Sequence, residues 1–212
     1  MNQYERRGAW VAVLMLTAGS IVWHAQAVAA ERHEETVVLI RHGEKPVGGL
    51  GQLSCQGLNR SLALPGVLVA KFGRPAFIFA PNPHQQVNDK GQLHDYVRPL
   101  ATIEPTAIQL GLPVNTQFGF REVKRLQHEL TQARYQDALV FVAWEHALLA
   151  QVVKRLVVQG GGDPSAVPEW GDGDFDSIYI VKLTRINSRL AVSFTRDREG
   201  LDNQSLVCPK AP

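Results

Sequence analysis

The stretch Val37-Val38-Leu39-Ile40-Arg41-His42-Gly43-Glu44 decides the fold. Four consecutive apolar residues read as a strand buried on both faces, as in a parallel sheet, because a half-exposed strand would alternate with polar residues. The run stops abruptly at an arginine, a histidine and a glycine. That ending places a cation and an imidazole at the carboxyl edge of the sheet, where open α/β folds bind their ligands. A guanidinium beside an imidazole suits a phosphoryl group, with the histidine as nucleophile.

Downstream of this strand, apolar runs of strand length alternate with stretches of helical period. Ser54 is a candidate cap for a helix carrying Leu58 and Leu62 on one face, broken or kinked at Pro65 and ended by Gly73 and Pro75. Ala76–Ala80 reads as a second buried strand, closed by Pro81. Residues 99–110 read as a helix with a kink at Pro105 and a stop at Gly111, and Ala138–Trp144 as a third strand. His146–Val158 carries a helical stripe of Leu149, Val152, Val153 and Leu156, and strands at Ser177–Leu183 and Leu190–Phe194 close the chain. Strands separated by helices predict an α/β three-layer sandwich, a mostly parallel central sheet flanked by helices on both faces. No internal repeat or low-complexity segment interrupts it.

The first thirty residues stand apart. Arg6-Arg7, an apolar stretch from Ala9 to Val22 and small residues from Ala25 to Ala30 read as a secretory signal peptide over 1–30. The competing reading, an uncleaved anchor, needs roughly 20 apolar residues, more than this stretch supplies. Residues 31–212 then form one catalytic domain, soluble in the periplasm or secreted, without stable membrane insertion. The formal net charge of +2 falls by half when Glu5, Arg6 and Arg7 leave, and no Lys/Arg run argues for nucleic acid. Cys55 and Cys208 enter an oxidising compartment, either as one disulfide tying the C-terminal tail to the body or as two unrelated thiols.

A second constellation repeats the first. Ala138–Trp144 runs into Glu145-His146, so His146 is again an imidazole at a strand tip, here also at a helix N-terminus that favours anions. Arg98 sits just before a helix in Arg98-Pro99-Leu100-Ala101-Thr102, where its guanidinium can fork onto phosphate oxygens together with Arg41.

These residues resemble the histidine phosphatase superfamily, the fold of phosphoglycerate mutases and many acid phosphatases. Arg41-His42-Gly43 is similar to its signature, Leu53–Gly57 to the opening of its first helix, Arg98–Thr102 to its arginine-x-x-x-threonine element, and His146 to its second histidine. The resemblance implies that His42 is the nucleophile, forming a phosphohistidine that water hydrolyses, and that Arg41, Arg98 and His146 hold the phosphoryl group. It implies no cofactor and no metal, since two arginines and a protonated histidine balance a phosphomonoester of about −1.5 to −2 charges. The leaving alkoxide needs a proton. Glu122, in Phe120-Arg121-Glu122-Val123, lies where the resemblance implies the acid of the mutase-like branch, and Glu145 beside His146 is its competitor.

The departures from the family pattern are informative too. Lys45-Pro46 follows Glu44 where mutases continue with serine and a substrate-holding asparagine, which with export argues against a glycolytic mutase. Asn82–Val97, with His84, Lys90, His94, Asp95 and Tyr96, reads as an inserted rim loop before Arg98. Asp172, Asp174 and Asp176 alternate like a calcium loop, but Ser177 and Leu183 replace its glycine and bidentate glutamate, leaving an aspartate-rich turn. Gly160–Gly162 follows a helix and so reads as a stop, not a phosphate cradle. Two functions remain in view: an exported phosphomonoesterase for a sugar phosphate or an envelope-associated phosphate, and a catalytically silent phosphate-binding module of the same fold. Phosphatases of lipopolysaccharide core sugars in the superfamily, together with the compartment, imply the first substrate class.

Overall fold

The computed structural model describes residues 30–210, so the expected leader falls, apart from Ala30, outside the described residues. No helix among the described residues is long and apolar enough to cross a membrane. In chain order the elements are β1 (Arg32–Arg41), α1 (Cys55–Phe72), β2 (Phe77–Phe79), β3 (Gln86–Asp89), β4 (Gln92–Asp95), α2 (Arg98–Leu110), β5 (Val114–Asn115), α3 (Val123–Leu130), β6 (Leu139–Trp144), α4 (His146–Gln159), β7 (Ser177–Ile186) and β8 (Arg189–Arg198). The main sheet has the order β5-β2-β6-β1-β7-β8. Strands β5, β2, β6 and β1 run parallel, and β7 and β8 add an antiparallel hairpin on the other side of β1.

Alternation along β1 and β6 divides the core into two layers. Val37, Leu39, Val140, Val142 and Trp144 face α3 and α4, packing with Leu126, Leu130, Leu149, Val152, Val153 and Leu156. Val38, Ile40, Phe141 and Ala143 face α1 and α2, packing with Leu64, Leu68, Ile103 and Ala107. Both sides of the central strands are thus dry, which is why their sequences are continuously apolar. The three-layer α/β sandwich expected from the sequence is the architecture observed.

Helix α1 differs from its expected form in two respects. Ser54 does cap it, accepting from the Gly57 amide, but the buried stripe is Gly57, Arg60, Ser61, Leu64, Pro65 and Leu68. Leu58 and Leu62 instead face solvent, 37% and 53% exposed. The period is helical but the phase is shifted by one residue, because a close approach at Gly57 and a buried ionic contact at Arg60 set the facing side. The helix also continues through Pro65, as α2 does through Pro105. Packing of Leu64 and Leu68 against the sheet outweighs the cost of an interior proline, about 3 kcal/mol.

The β7–β8 hairpin is longer than its apolar pattern indicates. Its ladder runs on to Tyr179↔Arg196 and Ser177↔Arg198, past the last apolar residue of β8, since an edge strand facing water needs no apolar side chain there. The stretch 82–97 is ordered as a second sheet, the β3–β4 hairpin, turning at Lys90-Gly91 with φ of 52° and 88°.

A buried ionic cluster ties the C-terminal half to the signature. Arg60 has no solvent exposure and pairs with Glu44 at 2.8 Å, Glu199 at 2.5 Å and Asp176 at 3.6 Å. Cys55 and Cys208 form a disulfide, and the Asn59 amide donates to the carbonyls of Ser205 and Val207, both at 2.8 Å. Of the two states the sequence left open for these cysteines, the bridge is the one present.

Candidate active site

Parallel pairing brings the two histidines together. Ile40 lies opposite Ala143 and Arg41 opposite Trp144, and the ladder ends with the His42 amide donating to the Trp144 carbonyl at 3.0 Å. His42 and Glu145-His146 therefore leave adjacent strand ends side by side.

His42 is 3% exposed, and its Nδ1 lies 2.7 Å from the Gly43 carbonyl. A carbonyl only accepts, so Nδ1 carries the proton and Nε2 keeps its lone pair. Burial, helped by the Arg98 and Arg41 charges, lowers the imidazole pKa to about 3, so the ring is neutral at ordinary pH. Tyr96 meets it edge-on with centroids 5.9 Å apart, and Phe175 lies on another side at 6.3 Å.

Glycine at 43 and 57 is required by close backbone approach. A Cβ on Gly43 would lie 3.0 Å from the Gly57 backbone, and one on Gly57 only 2.4 Å from the Glu44 carbonyl. The Gly43 amide donates to Thr102 Oγ1 at 2.9 Å, and that hydroxyl donates to the Arg98 carbonyl at 2.8 Å. Thr102 thus fixes the first turn of α2 against the His42–Glu44 loop.

The two arginines are held differently. Arg41 donates through Nη1 to the carbonyls of Gly171, Asp172 and Asp174 at 3.2, 2.6 and 3.0 Å, and lies 3.8 Å above the Phe175 ring. Carbonyl dipoles orient it without cancelling its charge. Arg98 is 2% exposed and gives Nη1 to Asp89 at 2.6 Å and to the Gly49 carbonyl at 3.2 Å. Asp89 comes from β3, so the inserted hairpin reaches into the site and offsets one of the two guanidinium charges expected to face phosphate. In both arginines Nε is buried without a hydrogen-bond partner among the described residues. Orphaned charged donors at this depth are costly, and a bound anion would satisfy them.

His146 is 12% exposed, with Nε2 2.9 Å from Asp172 Oδ1. Its Nδ1 lies 2.6 Å from Glu145 Oε1. Glu145 also caps α4, accepting from the Leu148 amide at 2.8 Å. Burial alone would raise its pKa, but His146 and the helix amides outweigh that and hold the carboxyl at about 2.

Glu122 stands at the N-cap position of α3. Its carboxylate accepts from the Gly119 amide at 2.8 Å and from Arg125 at 2.5 Å, and these partners lower its pKa. None of its hydrogen bonds or ion pairs goes to His42, Arg41, Arg98 or His146. Contacts and mutual electrostatics link His42, Arg41, Arg98, His146 and Glu145, while the hydrogen bonds of Glu122 go to Gly119 and Arg125. Asp89, Tyr96, Asp172 and Phe175 join it without having been singled out as site residues. Among the described residues no group of three or more His, Cys, Asp or Glu side chains is placed to hold a metal ion.

No family model matches the sequence, and no curated protein is significantly similar to it. Solved structures do resemble it. A mycobacterial glucosyl-3-phosphoglycerate phosphatase, in complex with inorganic phosphate, superposes on 76% of this chain and 95% of its own at a TM-score of 0.52 and 14% identity. A protein assigned as the phosphohistidine phosphatase SixA of Nakamurella multipartitia covers 77% of this chain and 95% of its own, at 0.51 and 14%. A phosphoglycerate mutase of Plasmodium falciparum covers 84% and 98%, at 0.50 and 11%. At these identities the likeness is one of fold, and with the strand order and the paired strand-tip histidines it establishes that the chain adopts the histidine phosphatase, phosphoglycerate mutase-like fold.

Proposed function

We propose that this chain is an exported phosphomonoesterase working through a phosphohistidine on His42. One observation carries the reading: a buried neutral imidazole with its Nε2 lone pair free, flanked by two buried guanidiniums whose Nε donors have no partner. Nε2 attacks phosphorus in line, forming the N–P bond as the ester P–O bond breaks and its electron pair leaves on the alkoxide. His146, protonated on Nε2, and the arginines hold the equatorial oxygens. Water then attacks phosphorus, the N–P bond breaks, and inorganic phosphate leaves with His42 neutral again. The charge offset comes from side chains, so the reading calls for no metal or cofactor.

The alkoxide takes its proton from Glu145 in this scheme, in place of Glu122. Glu145 is the carboxylate whose charge acts on both His42 and Arg41. Glu145 is ionised in the free protein, so it must gain its proton when the phosphate dianion arrives and raises its affinity for one. Export is supported by the 1–30 leader pattern and by the Cys55–Cys208 bridge, which persists in oxidising compartments. The compartment and the absence of any basic run point to a small sugar phosphate or an envelope-associated phosphate. The name of one structural neighbour, a glucosyl-3-phosphoglycerate phosphatase, agrees with a sugar phosphate.

The test uses purified mature protein with an aryl phosphate and a panel of phosphorylated sugars and envelope glycans, with and without chelator. Hydrolysis that survives chelation is expected, with one sugar phosphate preferred. Folded protein that binds inorganic phosphate but cleaves nothing would return the reading to a silent binding module.

A further inference from the structure

One residue contacts both arms of the phosphoryl site without being part of either. The Asp172 carbonyl accepts from Arg41 Nη1 at 2.6 Å, while its carboxylate accepts from His146 Nε2 at 2.9 Å. That Nε2 proton is the one the proposed mechanism gives to a phosphoryl oxygen. The two groups compete for one donor.

The surrounding backbone lets the carboxylate leave. Asp172 lies between Gly171 and Gly173, where an added Cβ would meet nothing within 4 Å. On either side the chain is anchored. Trp170 stacks on Tyr179 with centroids 4.1 Å apart, and its indole donates to the Asp174 carbonyl at 3.0 Å. Asp174 then accepts from the Asp176 and Ser177 amides at 3.1 and 3.0 Å and from the Ser177 hydroxyl at 2.6 Å. The Asp172 side chain is fully exposed apart from its contact with His146, which is itself 12% exposed. The site thus holds a carboxylate on a short glycine-flanked span between two fixed points, resting on a largely buried donor.

We propose that Asp172 is a resident anionic gate: its carboxylate holds His146 Nε2 in the empty site and is exchanged for a phosphoryl oxygen when a phosphomonoester binds. This rests on the reading of the site as a phosphoryl pocket. Binding becomes an exchange of one anion for another, so weak anions are excluded, and inorganic phosphate, the product, is more easily released. Asp172 sets affinity, and the chemistry stays with His42.

The experiment measures inorganic phosphate binding by calorimetry, and kcat and KM for an aryl phosphate and for an alkyl phosphate with a poor leaving group, in the wild type and in Asp172→Asn. Asparagine keeps the size and the acceptor oxygen but removes the charge. The exposed side chain contributes nothing to the core, so the variant folds. An exposed ion pair of this kind has a coupling worth about two- to fivefold, so the phosphate Kd and the KM should both fall by about that factor in the variant, with a smaller change in kcat. Unchanged or weaker phosphate binding with retained turnover overturns the gate. So does a loss of kcat confined to poor leaving groups, which would make Asp172 a proton donor. Wild-type protein that neither binds phosphate nor cleaves the aryl ester removes the underlying site reading instead, and shows this before any variant is compared.

Discussion

Arg41 and Arg60 are both buried cations next to the Arg41–Glu44 loop, and their surroundings are opposite. Arg60 is enclosed by the carboxylates of Glu44, Glu199 and Asp176, and its charge is cancelled inside the protein. Arg41 is held by three backbone carbonyls, has no partner for its Nε among the described residues, and lies close enough to His42 for its charge to act there. A buried cation matched by carboxylates serves the fold. One oriented by dipoles and left with a free donor serves a ligand.

The comparison breaks if the two arginines behave alike. Arg60→Ala should cost about 3 to 5 kcal/mol of stability, because it removes the buried partner of Glu44 and Glu199 and leaves Asp176 with Arg198 alone as its cation. Arg41→Ala should cost clearly less stability but lower kcat/KM by about 10²- to 10³-fold, the scale for removing one preorganised donor from an anionic transition state. Chemical denaturation of both variants, with aryl phosphate turnover, checks the pair. Equal losses of stability would contradict the division of roles.

Two carboxylates offer a similar contrast, Glu145 inside the histidine cluster and Glu122 on the Arg125 side of α3. Glu145→Gln should slow substrates with poor leaving groups by about 10²-fold or more while sparing aryl phosphates, since only the former need a proton in the transition state. Glu122→Gln should change both classes little. The reverse result would restore Glu122 as the acid.

The smallest effect is in the pH dependence of stability. Burial pushes the carboxyls of Glu199 and Glu35 up to about 8, against the pull of Arg60 and Arg185 respectively. In the unfolded chain a glutamate titrates near about 4.3. The folded protein therefore holds extra protons between those values, and this part of the stability is lost as pH rises through about 8. His42 works the other way: its folded pKa of about 3 lies below the ordinary value, so stability is lost as pH falls below the unfolded imidazole range. Melting temperatures from pH 5 to 9 should fall toward the alkaline end in the wild type and fall less in Glu199→Gln. An unchanged slope in the variant would remove Glu199 from the account.

The parts legible in the sequence are those fixed by local pattern. The continuous apolar runs of β1 and β6 gave the buried parallel strands, and the residues that end them gave the two histidines and Arg41. Arg98 was found because it opens a helix at the same edge of the sheet. What pattern could not give was long-range pairing. Glu44 stands two residues after His42 in sequence, yet its carboxylate goes to Arg60, sixteen residues on. Asp89 sits in a polar insertion that carries no apolar signal, and only the β3–β4 register turns it inward to Arg98. The sequence around Asp172 marks a turn, but nothing local shows that the turn lies across the carboxyl ends of β1 and β6. The phase of α1 was misplaced for a related reason: a glycine and a buried arginine set its inner face, and hydrophobicity alone favours Leu58 and Leu62.

The central claim is that His42 becomes phosphorylated, and rapid quenching of the enzyme with a ³²P-labelled phosphomonoester tests it directly. A covalent phosphate that is acid-labile, base-stable and mapped to the peptide holding His42 should form before steady state, and it should be absent from a folded, inactive His42→Ala variant. Turnover at the wild-type rate in that variant, or label recovered on another residue, would contradict the account.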